Sequence, residues 1–95
     1  MIESKYLILG AGPSGLTAAN MLLDKGIDDF IVLEKEAEAG GLCRTAYVEN
    51  QPVDFGGGHI LDTRCQKVDD FVFRFLPQEE WNAFERDSQI YFKGR

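Results

Sequence analysis

Ninety-five residues bound this chain to one small domain at most, and a hydrophobic fraction of 44% is that of a globular rather than a disordered chain. The net charge of −6 comes from acids and bases interspersed along the chain, so no basic patch is present to hold a nucleic acid, and the acidic balance speaks chiefly to solubility. Cys43 and Cys65 have no metal-ligand spacing, no stretch approaches a membrane span, and the N-terminus has no charged segment followed by a long apolar one, which together predict a metal-free, cytoplasmic chain with reduced thiols.

After a short polar lead-in, Tyr6-Leu7-Ile8-Leu9 is an apolar run that predicts a strand, and it feeds straight into Gly10-Ala11-Gly12-Pro13-Ser14-Gly15. The glycines have separate mechanical roles: Gly10 for the tight turn, Gly12 for close approach of a pyrophosphate to the backbone, Gly15 for close packing of helix on strand. A helix over 14–25 follows, with Leu16, Ala19, Leu22 and Leu23 on an apolar face, Pro13 at its start and Gly26 as its stop. Its first turn, which holds Ser14, would direct free N–H groups and the positive end of the helix dipole at phosphates. Phe30-Ile31-Val32-Leu33 is a second apolar run, and it ends in Glu34. That acid lies about 20 residues past the glycines, where a carboxylate accepts hydrogen bonds from an adenosine ribose and disfavours a 2′-phosphate. A βαβ unit that binds nothing is the bland alternative; the strand, helix, second strand and acid around the glycines weigh against it.

Lys35 to Ala39 is a charged, helix-tolerant connection into Gly40-Gly41, followed by Leu42-Cys43-Arg44-Thr45. A glycine pair there suits backbone held close to a ligand or an ordinary loop equally well. Residues 46–49 and 52–55 alternate apolar and polar around Asn50-Gln51 and predict a β-hairpin, with Pro52 first in an edge strand. Gly56-Gly57-Gly58-His59 is a second glycine-rich turn after a strand, suited to a flat ligand lying against the backbone. His59, the single histidine, could serve as acid, base or donor to a cofactor, or fill a structural role, the commoner case for a lone histidine. Thr63-Arg64-Cys65-Gln66 matches a capping box and predicts a helix start. Val68, Phe71, Val72, Phe75 and Leu76 extend that helix along one apolar face, which reads as core, until Pro77 ends it. A short helix over 78–84, a strand over 89–92 and a hairpin turn at Lys93-Gly94-Arg95 complete the predicted elements.

Three segments, GAGPSGLTAA, LEKEAEAGGLCRT and VDFGGGHIL, resemble in order the N-terminal FAD-binding segment of the superfamily that holds the amine oxidases, protoporphyrinogen oxidases and UDP-galactopyranose mutases. The ending SQIYFKGR is similar to the protoporphyrinogen oxidase and mutase branch. The resemblance implies an α/β fold: a Rossmann-like βαβ FAD-binding subdomain with a β-hairpin, additional helices and an incomplete sheet. It also implies FAD rather than NAD, the choice resting on the spacing from Glu34 to Gly40-Gly41. Gly10, Gly12 and Gly15, with Pro13 and Ser14 at the helix start, would receive the pyrophosphate, and Ala19 would take a small packing position. Glu34, with Lys35 beside it, would hold the ribose. Gly40, Gly41 and Leu42 would form a second diphosphate-side turn, with Arg44 and Thr45 near the flavin or its phosphates. Gly56, Gly57 and Gly58 would pass beside the isoalloxazine ring, and His59 matches a histidine near the flavin in mutase-like members.

Family members are several times longer, so residues 1–95 read as an N-terminal fragment without the substrate domain. The expected function is the FAD-binding part of a flavin-dependent oxidoreductase acting on a small molecule, with no catalytic side chain in this segment. Arg44 and His59 would at most tune the flavin. A mutase-like isomerase and a non-catalytic module are the alternatives. The fragment is expected to be inactive alone and, through its open sheet edge, to self-associate.

Overall fold

Two short parallel strands and the helix between them form the frame of the first part of the chain. β1 (Tyr6–Leu9) and β2 (Phe30–Leu33) pair with Ile8 opposite Val32 and Leu9 opposite Leu33, and α1 (Pro13–Asp24) makes the crossover. The computed structural model describes residues 1–56, 61–85, 87 and 89–94, and the chain divides into two units, Met1–Ile60 and Leu61–Arg95.

The local chemistry of the βαβ unit is consistent from end to end. Pro13 occupies the first helical position, where a missing N–H and a fixed φ are both favourable. At the other end the N–H of Ile27 donates to the Leu22 carbonyl and that of Gly26 to Leu23, the paired bonds of a Schellman stop. α1 lies on the sheet face that carries Ile8, and Ala19, Leu22 and Gly15 fall on its inner side. Leu16 and Leu23, expected on that same face, lie along its margin and stay exposed. Leu7, Leu9 and Leu33 point to the opposite face of the sheet, and each is more than half exposed. Among the described residues, the buried apolar side chains are Ala11 and Ala19 alone, so the core of this unit is the narrow seam between helix and turn.

β3 (Thr45–Val48) and β4 (Gln51–Asp54) form a separate antiparallel hairpin. Val48 pairs with Gln51, which leaves Glu49-Asn50 as a two-residue turn with φ of 51° and 65°. This is one residue earlier than the turn expected at Asn50-Gln51. A two-residue hairpin turn of this hand needs positive φ at both central residues, which Asn tolerates better than Gln. Pro52 is therefore the second residue of β4, opposite Tyr47. That pair is the non-hydrogen-bonded kind, so the N–H that proline lacks would have pointed away from β3. Glu49 bears the less favourable of the two conformations. Replacing Glu49 with Asn is expected to stabilise the hairpin by about 0.5–1 kcal/mol, read as a higher urea midpoint with an unchanged slope; an unchanged midpoint would count against the turn assignment.

In the second unit, α2 (Gln66–Phe73) begins later and ends earlier than its pattern suggests. The expected capping box does not form: the helix cap is Cys65, without a side-chain cap bond. Arg64 turns to a φ of 51°, and the Thr63 hydroxyl bonds to the Asp69 carboxylate and accepts the Cys65 N–H instead. Helical bonding continues irregularly to Leu76, Phe71 packs edge-on to Phe75 with ring centroids 5.3 Å apart, and Phe73 meets Trp81 at 6.1 Å. The helix expected over 78–84 is only a 3₁₀ turn, Gln78–Glu80, after which the Trp81 indole N–H donates to the Leu76 carbonyl at 2.9 Å. Residues 89–92 do not form the expected strand, since no partner strand lies beside them among the described residues. Lys93 and Gly94 do make a turn, both with positive φ. Among the described residues no helix is long and apolar enough to cross a membrane.

Candidate dinucleotide-binding site

The turn after β1 is fixed from both sides. The N–H of Gly10 donates to the Leu33 carbonyl at 2.7 Å, carrying the strand pairing one residue further. Ala11, only 5% exposed, is held through both backbone groups: its N–H donates to Glu34 Oε1 at 2.9 Å and its carbonyl accepts the Gly40 N–H at 2.7 Å. A Cβ on Gly15 would collide with the Gly10 carbonyl oxygen and press on Ile8 Cγ2 at 3.3 Å, so the helix sits as close to the strand end as a side-chain-free residue permits. Gly12 caps α1 in an extended conformation, with φ −81° and ψ −175°. Among the described residues no side chain caps the helix, and no acid stands in its first turn. The N–H groups of Ser14 and Gly15 have no intrahelical partner and face the helix end.

The second glycine pair packs on the first turn. Gly40 and Gly41 adopt φ of 120° and 58°, values that L side chains rarely take. A Cβ on Gly41 would lie 3.1 Å from Gly12 Cα. A Cβ on Gly40 would lie 2.9 Å from the Arg44 side chain, which folds back so that its Nε donates to the Gly41 carbonyl at 2.9 Å. The Arg44 guanidinium also stacks on the Phe55 ring, 4.5 Å from its centroid, and the Phe55 N–H donates to the Arg44 carbonyl. The third glycine segment joins the same cluster at its start, since a Cβ on Gly56 would meet the Leu42 carbonyl oxygen at 2.7 Å. Three stretches far apart in sequence thus converge on one another.

Glu34 closes the other side. Its two carboxylate oxygens accept the N–H groups of Ala11 and Glu36, each at 2.9 Å. Those bonds, Ala11 first and Glu36 second, hold the Glu34 carboxyl below the usual range against an opposing desolvation effect, and the positive charges of Arg44 and Lys35 add lesser contributions in the same direction as the bonds. A concavity of about 480 Å³, lined by Leu9, Gly10, Leu33, Glu34 and Lys35, opens at the carboxyl ends of β1 and β2. Open α/β sheets receive ligands at that end of their strands.

The structure therefore brings together Gly10, Gly12, Pro13, Ser14, Gly15, Glu34, Lys35, Gly40, Gly41, Arg44 and Gly56. Leu42 lines the approach of Gly56 through its carbonyl while its side chain is exposed, and Thr45 faces the hairpin, donating to Asp54 Oδ1 at 2.7 Å. Gly57, Gly58 and His59 lie outside the described residues. Two participants carry no signal in the sequence. Ala11 reads as a filler between glycines, and Phe55 reads as one apolar residue of a strand. No metal-binding cluster of acids, cysteines or histidines occurs among the described residues.

Residues 13–93 match the family described as flavin containing amine oxidoreductase. The chain belongs to that family. Among its relatives is tryptophan 2-monooxygenase of Allorhizobium ampelinum, 30% identical over 98 residues that cover 98% of this chain and 14% of that protein. The flavin-containing amine oxidase of Danio rerio is 41% identical over 96 residues, covering 94% of this chain and 17% of that protein. Among solved structures, reduced UDP-galactopyranose mutase superposes with a TM-score of 0.63 at 38% identity, over 72% of this chain and 15% of that one. The parallel βαβ unit and the antiparallel hairpin correspond to part of an FAD-binding Rossmann-like domain. The chain spans between 14% and 17% of the length of these curated relatives.

Proposed function

We propose that this chain holds the adenosine diphosphate end of FAD in a flavin-dependent oxidoreductase of the amine oxidase or protoporphyrinogen oxidase type. The observation that carries the reading is Gly12. Gly10, Gly40 and Gly41 have positive φ, and Gly15 and Gly56 are held against carbonyl oxygens, so each of those glycines answers to the protein itself. Gly12 answers to neither: its backbone is extended, and a Cβ there would touch nothing nearer than Gly41 Cα at 3.7 Å. Gly12 stands at the helix start, where an anionic diphosphate passing against its backbone would meet the free N–H groups of Ser14 and Gly15. Glu34 stands at the strand end to accept ribose hydroxyls, and Arg44 adds a positive charge beside the second turn.

FAD would supply the hydride or electron transfer; the residues described here bind and orient it. In the full protein the substrate would be a small molecule such as an amine or a porphyrinogen. The likeness to UDP-galactopyranose mutase supports a second reading, an isomerase working through reduced flavin on a nucleotide sugar. The free thiols of Cys43 and Cys65 suit a cytoplasmic setting, and the exposed Leu7–Leu9–Leu33 face suits self-association of the isolated chain.

Titrating the purified chain with FAD and following visible absorbance and flavin fluorescence tests the site. A saturable change with one equivalent, competed by ADP, is expected. No saturable change at millimolar FAD overturns the reading for this chain. Turnover of a UDP-sugar with reduced flavin by the whole protein, without turnover of amines, would move the assignment to the isomerase.

A further inference from the structure

We propose that the Glu34 carboxylate is a latch on the phosphate turn, holding it in its binding form before any dinucleotide arrives and independently of what it offers a ribose. The proposal rests on the dinucleotide reading of the site and gives Glu34 a second, positioning role within it.

Ala11 is the link. It is buried, sits between the two glycines of the turn, and has both backbone groups committed to partners distant in sequence. The Gly40 N–H takes its carbonyl, and Glu34 Oε1 takes its N–H. Glu34 is itself anchored, because Oε2 accepts the Glu36 N–H at the exit of β2. The carboxylate therefore staples the end of β1 to the end of β2 just where the strand pairing stops at Gly10.

Only an ionised carboxylate does this with both oxygens. Each carboxylate oxygen has a further lone pair, so a ribose hydroxyl can be accepted without surrendering either N–H. A protonated carboxyl, or the amide of glutamine, turns one of its two atoms into a donor facing an N–H donor, and one arm of the staple must open. The charges acting on Glu34 are Arg44 and Lys35, both positive, and both favour the ionised form. The folded carboxyl lies below its ordinary value, so the latch is closed above the usual glutamate range and opens as pH falls through the lowered folded value.

The test uses the ligand-free chain first. In ¹⁵N–¹H spectra the amide protons of Ala11 and Glu36 should lie downfield and shift together, with a shared midpoint below that of an ordinary glutamate. In Glu34→Gln that titration should vanish, and the Ala11 amide should exchange with deuterium about tenfold faster. The ligand arm compares ADP with inorganic pyrophosphate, which has no ribose. A latch predicts that Glu34→Gln weakens pyrophosphate on the order of tenfold and ADP by at least the same factor. Loss of ADP affinity alone, with pyrophosphate binding and Ala11 exchange unchanged, would show a ribose contact only and overturn the latch. Absence of a shared titration at Ala11 and Glu36 in the unmodified chain overturns it too, whether or not any variant folds. If the two amides titrate with Glu34 but neither ADP nor FAD binds, the latch stands as a structural staple and it is the dinucleotide reading that fails.

Discussion

Gly12→Ala should leave the fold intact and remove flavin binding. The added methyl meets Gly41 Cα at 3.7 Å and Gly41 N at 4.0 Å, ordinary contact distances, and the extended backbone at Gly12 is open to any residue. Thermal unfolding should therefore shift by no more than the roughly 0.5 kcal/mol typical of a tolerated surface change. Affinity is a different matter. On the proposed reading a diphosphate passes against the Gly12 backbone, and an added methyl would hold it away from the N–H groups of Ser14 and Gly15. Charge-assisted hydrogen bonds are worth about 1.5–3 kcal/mol each, so losing one or two weakens FAD by about 10- to 1000-fold or more. Flavin fluorescence titration paired with circular-dichroism melts separates the two effects. Retained affinity in a folded Gly12→Ala protein would remove the central support of the proposed site.

Gly15→Ala should do the reverse and damage the fold before it touches the ligand. Here the new Cβ meets the Gly10 carbonyl oxygen, which is backbone and cannot rotate aside, and Ile8 Cγ2 at 3.3 Å. Relief requires α1 to back away from β1, and that opens the seam at Ala11 and Ala19, the buried apolar side chains among the described residues. Overpacking a close contact costs about 1–3 kcal/mol, and the rigid obstacle places this case at the upper end. For a small domain whose total stability is on the order of 5 kcal/mol, that leaves about 2 kcal/mol and a few per cent unfolded, with a clearly lowered urea midpoint. The measurement is a urea melt followed by far-ultraviolet circular dichroism. A midpoint equal to that of the unmodified chain would mean that the helix has more room than the structure gives it.

The contrast between these two glycines bears on how much of the molecule can be read from its residues. β1, α1 and β2 were legible because their signals are local: short apolar runs, a proline at the first helical position, a glycine at the stop. The hairpin was legible in kind but displaced by one residue, since Asn50-Gln51 and Glu49-Asn50 differ only in which residue must take positive φ. The second unit was less legible. Thr63 carries the right side chain for a cap, but Asp69 captures its hydroxyl, and residues 89–92 have strand composition without a strand to pair with among the described residues. At the site, spacing alone leaves Gly40-Gly41 equally suited to an ordinary loop, whereas Gly10, Gly12, Gly15 and Glu34 announce themselves by spacing. The burial of Ala11 and the stacking of Phe55 under Arg44 do not, because both arise from packing between segments that no local pattern connects.

The contact between Gly12 and Gly41 makes two positions 29 residues apart behave as one. A Cβ at 41 approaches Gly12 Cα to 3.1 Å, and a Cβ at 12 approaches Gly41 Cα to 3.7 Å, so the two absent methyls would compete for one volume. Substitutions there cannot be additive. The cost of enlarging either residue depends on the size of the other.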